Sequence, residues 1–308
     1  MNNIRDLSSG KLMISPGPHG NWDYYKDIIK KFEFMKENGS IDTLVLAGDI
    51  ILEDGKSEDK SLKILDDLIY NHDPTDVISL LGDHELRQIY SLDIHKGIRF
   101  FKEKSQVKSL DEQFGVDRQV YLDYIKNMPY AIRTSGGVII NHTGAPSVLS
   151  NPVIEINEND KKKRYSTFDI INLLKHDNFL NYLATNIEAK TGNYNKIDIK
   201  KYNPELGKEF LRNPLGKILW DIYFDKNELE HGKEYGGIIT GYLRNMISDL
   251  NHNFKSQSFI VSANKRKGLM PRIVRRQQIR VNEESFAIVG AAEKYVSAGQ
   301  INTRSIYE

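Results

Sequence analysis

Residues 77–85 read Val-Ile-Ser-Leu-Leu-Gly-Asp-His-Glu, an apolar run ending on Gly82-Asp83-His84-Glu85. A second run of the same design, Leu44-Val45-Leu46-Ala47, ends on Gly48-Asp49. Short apolar runs closed by glycine read as buried strands, and residues 61–70 between them carry helical periodicity. Strand, helix, strand in that order implies a parallel pair joined by a right-handed crossover. Two parallel strands ending in Gly-Asp set carboxylates side by side at the carboxyl edge of one sheet, where open α/β folds build their sites. His84 adds a metal ligand or a proton donor beside the second carboxylate.

The pattern extends upstream. A strand over 11–15 leads into the tight loop Pro16-Gly17-Pro18-His19-Gly20. Asn21 is positioned to cap a helix over 22–37, with Tyr25, Ile28, Ile29, Phe32 and Met35 on its apolar face, and Asn38-Gly39 stops it. Downstream the signals change. Residues 131–134 and 138–141 flank Ser135-Gly136-Gly137, a hairpin signature, and His142 follows the second arm. Residues 151–215 are polar and lysine-rich, with helical stretches over 168–174 and 178–188, and Lys161-Lys162-Lys163-Arg164 reads as a solvated loop. Later strands are expected at 238–240, 259–262, 273–274 and 286–289. Crossovers first and antiparallel strands later describe one mixed α/β domain over 1–308, two packed sheets with helices outside.

Composition excludes several classes. The net charge of +1, from 43 basic and 42 acidic residues, selects no partner by itself. The absence of cysteine rules out disulfides, zinc–thiolate sites and cysteine nucleophiles. No apolar run nears the roughly 18 residues of a membrane span, and residues 1–10 hold no hydrophobic leader segment. The expectation is a soluble, intracellular protein, cytoplasmic by default, with no membrane partner.

His19, Asp49, Asp83 and His142 stand at the ends of consecutive elements, and mixed His/Asp donors suit Mn, Fe or Zn. Here the sequence resembles the calcineurin-like metallophosphoesterases, and more narrowly the serine/threonine phosphoprotein phosphatases, over about residues 12–290. Gly82-Asp83-His84-Glu85-Leu86-Arg87 is similar to the family's Gly-Asn-His-Glu-Ser-Arg segment. Leu219-Trp220-Asp221 resembles its Leu-Leu-Trp-Ser-Asp element, and Ser262-Ala263-Asn264 its late Ser-Ala-Pro-Asn strand end. The resemblance implies a four-layer αββα sandwich of two mixed sheets flanked by helices, with an insertion around 151–215. It also implies two metals on six ligands, bridged by an aspartate, activating a water that attacks phosphorus. Position by position, His19 matches the first-motif histidine, Asp49 the bridging aspartate, Asp83 an asparagine ligand, His84 the general acid and His142 the third-motif histidine.

The departures bear on chemistry. The family's Asp-x-His-Gly is Gly17-Pro18-His19-Gly20 here, without the first carboxylate. In the second motif Leu52 stands where an aspartate orients the acid histidine, and Glu53 where an arginine holds phosphate. The final Gly-His is Gly241-Tyr242. His19 and Asp49 alone make a thin first site, whereas Asp49, Asp83 and His142 make a three-ligand second one. The cofactor expectation is one divalent metal (Mn, Fe or Zn) or none.

Residues 265–280 contain no acidic side chain, and Arg266, Arg272, Arg275 and Arg276 form a candidate surface for a protein or nucleic-acid partner. The plainer reading is the solvent face of a β-ribbon. Three functions stay open from the sequence. They are a degenerate phosphatase-like protein acting through a protein or nucleic-acid partner, a divergent phosphoesterase with a reduced metal site, and a structural subunit of an assembly.

Overall fold

The apolar runs of the first half pair as parallel neighbours. In the computed structural model, which describes residues 3–51, 59–92, 106–134, 138–142, 153–158, 161–173, 177–192, 197–199, 201–221, 224, 258–262, 278–281, 286–289 and 304–306, β2 (Leu12–Ser15), β3 (Thr43–Leu46) and β4 (Val77–Ser79) lie side by side. Helices α1 (Trp22–Glu37) and α2 (Ser61–Tyr70) occupy the connections between them. Asn21 caps α1 by accepting the Tyr24 N–H at 3.0 Å. Strand β12 (Arg304–Ile306) completes this sheet antiparallel to β2.

The second sheet is mixed. Its order is β1 (Ile4–Leu7), β5 (Ala131–Thr134), β6 (Val138–Asn141), β9 (Ser258–Ser262), β11 (Phe286–Val289) and β10 (Gln278–Val281). Strands β5 and β6 are the antiparallel hairpin expected from their sequence. The two sheets meet through Leu12, Ile14, Val45, Ala47, Ile78 and Leu80 on one side and Ile132 and Ile140 on the other. Met13, Leu44 and Leu46 point the opposite way, into the core shared with Tyr25, Ile28, Phe32, Ile64 and Leu65 of the helices. Burial on both faces explains why these strands read as unbroken apolar runs rather than alternating ones. Each buried aliphatic side chain contributes roughly 1.5–3 kcal/mol.

Two segments differ from their sequence reading. The polar-looking start contains β1, which runs parallel to β5 with Asp6 opposite Arg133. Arg133 forks both Asp6 oxygens at 2.6 and 2.8 Å, so a charge pair takes the place of an apolar signal. The solvated loop expected at Lys161-Lys162-Lys163-Arg164 is instead part of a strand, β8 (Lys161–Ser166), paired antiparallel with β7 (Val153–Glu158). Arg164 sits opposite Glu155 and pairs with it at 3.2 Å, while Ile156 is buried.

Helices follow: α3 (Asp83–Tyr90), α4 (Gln106–Phe114), α5 (Arg118–Asn127), α6 (Thr167–Leu173), α7 (Asp177–Thr191), α8 (Pro204–Arg212) and α9 (Pro214–Trp220). The expected strands at 238–240 and 273–274 lie outside the described residues. Among the described residues no helix is long and apolar enough to cross a membrane.

Phe210 of α8 locks this helical layer, with its ring centroid 4.3 Å from that of Tyr90 and 6.1 Å from that of Phe179. Phe210→Ala is expected to cost about 3–5 kcal/mol, read as a shift in the urea unfolding midpoint. A second test lies in α2. Asp67 accepts from Asn71 Nδ2 at 2.7 Å, Tyr25 Oη at 2.8 Å and His72 Nε2 at 3.0 Å. Burial raises its pKa, but these donors together outweigh burial and hold the carboxyl below its usual range. A carboxyl whose folded pKa is depressed stabilises the fold above its unfolded value, and that stability is lost as pH falls through the folded one. Asp67→Asn should therefore flatten the acid limb of unfolding midpoint against pH below about pH 4.

Candidate metal centre

The turns leaving β2, β3, β4 and β6 each deliver one or two of the expected donors to the same place. His19 follows β2, Asp49 follows β3, Asp83 and His84 open α3 after β4, and His142 follows β6. His142 Nε2 lies 3.2 Å from Asp49 Oδ2 and 3.7 Å from Asp83 Oδ1. His19 Nε2 lies 3.6 Å from Asp49 Oδ2, and the His19 and His84 rings meet edge to face at 5.4 Å. Asp49, Asp83, His84 and His142 are buried and His19 is partly open.

Backbone carbonyls set the direction of two histidines. His142 Nδ1 is 2.7 Å from the Ala47 oxygen, and His84 Nδ1 is 2.7 Å from the Ile51 oxygen. A carbonyl only accepts, so each Nδ1 carries the proton and each Nε2 turns to the cleft. The Ile51 carbonyl thus supplies the orientation that Leu52, by sequence, takes away from His84. It supplies no negative charge.

Asp49 Oδ2, Asp83 Oδ1 and His142 Nε2 are all buried and none has a hydrogen-bond partner. Buried polar atoms are almost always satisfied, and three without a partner that converge on one point form a candidate cation site. The ligand atoms of Asp49, Asp83 and His142 lie within 4.8 Å of one another, as do those of His19, Asp49 and His84. The residues fit a divalent ion. Without one, burial disfavours charge on His142, yet the facing Asp49 and Asp83 carboxylates outweigh it and hold the imidazole well above its ordinary pKa. Burial likewise opposes charge on Asp83, but His84, His142 and Arg87 keep its carboxyl well below the usual range. His19 moves the other way, to about 4, because burial exceeds the pull of Asp49.

Three neighbours were not among the expected site residues. Glu85, fully buried, accepts the backbone N–H of Asp49 (3.0 Å), Ile51 (3.0 Å) and Gly82 (2.9 Å). Burial and then the Asp49 carboxylate push its own carboxyl up to about 7, against the Ile51 N–H. Arg87 Nη2 lies 3.3 Å from Asp83 Oδ2, and its guanidinium sits 5.4 Å from the Trp220 ring centre. Gly17 gives its place to the turn after β3. A Cβ there would stand 1.7 Å from the Gly48 oxygen and 2.5 Å from the Asp49 oxygen. Position 85 is the third residue of a helix begun at Gly82, a capping position readable from sequence, but its reach to residues 49 and 51 is not. Leu52, Glu53, Asp54, Gly241, Tyr242, Arg266, Arg272, Arg275 and Arg276 lie outside the described residues.

The family model described as calcineurin-like phosphoesterase matches residues 18–222, which include all five candidate donors from His19 to His142. The chain belongs to the calcineurin-like phosphoesterase family. Two solved structures agree with that fold, and a third is less alike. The cold-active protein-tyrosine phosphatase of a psychrophilic Shewanella is 12% identical over 97% of this chain and 75% of that one, with a TM-score of 0.50. A point mutant of a cold-active protein tyrosine phosphatase gives 11% identity, the same coverages of 97% and 75%, and a TM-score of 0.51. A serine/threonine phosphatase from Saccharomyces cerevisiae gives 14% identity over 96% and 72%, with a TM-score of 0.44. Identities this low speak to fold alone. The chain covers 60% of the length of a further structure, provisionally described as a diadenosine tetraphosphatase. No curated protein matches.

Saturating the phosphoesterase cleft with Mn²⁺ at about 100 times its Kd should stabilise the fold by about 2.7 kcal/mol. The rise in unfolding temperature should vanish in Asp49→Asn, and an equal rise in both proteins would move the ion elsewhere.

Proposed function

We propose that this phosphoesterase-family protein keeps a cleft for one divalent cation (Mn, Fe or Zn), has lost two-metal hydrolysis and acts by binding a protein partner. The observation that carries the reading is the closure behind Gly17. A first-motif carboxylate would have to grow into the Gly48 and Asp49 carbonyl oxygens, 1.7 and 2.5 Å from the Cβ position. The first carboxylate is therefore excluded by backbone as well as absent from the sequence, and among the described residues the carboxylate within 4 Å of His19 is the shared Asp49. Charge supports the same count. Asp49, Asp83 and Glu85 are three buried carboxyl groups, and Arg87 is the one buried guanidinium beside them among the described residues. With neutral imidazoles, and with Glu85 ionised beside the cation, one divalent ion balances these described groups, and a second would leave buried positive charge in a low-dielectric cleft. The ligand set of two carboxylates and one imidazole suits the named metals.

One observation favours a hydrolytic reading instead. His84 is held by the Ile51 carbonyl at 2.7 Å with Nε2 toward the cleft, the posture of an acid that protonates a leaving oxygen. A cation at Asp49, Asp83 and His142 would supply Lewis-acid charge for a phosphoryl oxygen. Against this, a neutral carbonyl stabilises an imidazolium less than the carboxylate it replaces. His84 also groups with His19 and Asp49, where its ring nitrogen would serve as a ligand rather than as an acid. As for the partner, the basic segment around Arg266, Arg272, Arg275 and Arg276 leaves nucleic acid as the competing ligand. Salt-sensitive co-purification of nucleic acid would turn the proposal from a protein partner toward an assembly subunit.

The deciding experiment is a Mn²⁺ titration by calorimetry beside a p-nitrophenyl phosphate assay. One ion per chain is expected, with turnover no higher than in Asp49→Asn. Gly17→Asp, which restores the family's carboxylate, should lower stability and add no second ion. Two ions per chain with turnover that Asp49→Asn abolishes would overturn the proposal.

A further inference from the structure

We infer that Glu85 is a positioning residue for the cation cleft: its carboxylate, seated inside the protein, holds the Asp49 turn in the one conformation that aims both Asp49 and His84 inward. The inference rests on the single-cation reading of the same cleft. At the third position of α3, accepting the Gly82 N–H is what any capping glutamate does. Glu85 does more. Its Oε2 takes the Asp49 N–H at 3.0 Å together with that of Gly82 at 2.9 Å, and its Oε1 takes the Ile51 N–H at 3.0 Å. One side chain thus ties the turn after β3 to the turn after β4, at residues 34 and 36 positions away.

What it ties is strained. Asp49 has φ +55°, a left-handed conformation that residues with a Cβ rarely hold without support. The two N–H groups on either side of Ile50 are both held by Glu85, so the backbone cannot relax by rotating the peptide that precedes Asp49 without giving up a bond. The same brace sets His84, because the Ile51 residue whose N–H binds Glu85 presents the carbonyl that receives His84 Nδ1 at 2.7 Å. Gly82 lets the carboxylate come this close. A Cβ at Gly82 would lie 2.6 Å from Glu85 Oε2, 2.4 Å from the Asp49 nitrogen and 2.2 Å from Asp49 Oδ1. The hydrogen bonds that Glu85 accepts come from backbone N–H groups, so its effect passes through the backbone of Asp49 and Ile51.

Glu85→Gln keeps the size and swaps one acceptor oxygen for an NH₂ group that must face N–H donors. Glu85→Asp keeps the charge and shortens the reach by one methylene. Both are expected to weaken Co²⁺ binding by about 10–100-fold, the range for partners that orient ligands, and to change the visible absorption spectrum of the bound Co²⁺. Leu68→Ala, a core substitution in α2 that is neither a candidate ligand nor a partner of Glu85, should lower the unfolding temperature while leaving Co²⁺ affinity and spectrum unchanged. Hydrogen exchange of the metal-free protein supplies the independent arm. The Asp49, Ile51 and Gly82 amides should lose protection in Glu85→Gln and keep it in Leu68→Ala. Wild-type affinity and spectrum in Glu85→Gln, or unchanged exchange at Asp49 and Ile51, would overturn the inference. Failure of the wild-type protein to bind Co²⁺ would sink the cation reading instead, while the exchange arm still decides the brace.

Discussion

The cleft depends on how closely the turns leaving β2, β3 and β4 approach one another. The Cα of Gly17 lies against the carbonyl oxygens of Gly48 and Asp49, and the Cα of Gly82 against the backbone and side chain of Asp49. Hydrogen bonds run along the same contacts, from His19 N–H to the Asp49 oxygen at 3.0 Å and from Gly20 N–H to the Ile50 oxygen at 2.9 Å. His19 and Asp49 pay for the approach with left-handed backbone, φ +47° and +55°, a strain on the order of 1–3 kcal/mol each. Parallel pairing of β2, β3 and β4 brings the three turns to one edge, and glycine at the contact points lets them touch. Everything that follows in the site, from the orphaned oxygens to the aim of the histidines, is a consequence of that contact.

The parts of this arrangement that were legible in sequence are those written in local chemistry. Apolar runs of strand length, a capping Asn21, the hairpin glycines at 136 and 137 and the Gly-Asp strand ends all carry local signals, and four strand ends carrying His or Asp predicted one cluster. The signals that failed were non-local. Strand β1 is held by Arg133, more than a hundred residues away, and its Ile4-Arg5-Asp6-Leu7 has too little apolar character to announce itself. The basic run of β8 looked like a loop because Arg164 was read without its cross-strand partner, Glu155, and Lys163 without the buried Ile156 opposite it. Leu52 looked like the loss of His84's orientation, yet a backbone carbonyl, invisible to any reading of side chains, takes over that part of the task. Gly17 read as a missing carboxylate, but only the packing reveals that the space for one is filled.

Asp83, where the family has asparagine, is the departure whose consequence is least obvious from the residue type. An added buried negative charge beside Asp49 is costly unless something compensates it. Arg87, one helical turn on, lies 3.3 Å from Asp83 Oδ2, and the indole of Trp220 packs against the guanidinium, centre 5.4 Å away. That division leaves Oδ1 directed at His142 and without a hydrogen bond, so the carboxylate offers the cleft one oxygen, as an amide would. An amide carries no charge, whereas the carboxylate's is only partly neutralised by an arginine that lies on the far oxygen. The remainder falls on the cleft side and adds to that of Asp49 across a shared histidine. A site so built attracts a cation more strongly than the asparagine version while offering it no more oxygens. On the proposed single-cation reading it gains charge at the position that remains open and has lost a ligand at the position that Gly17 closes, and both changes favour one ion over two.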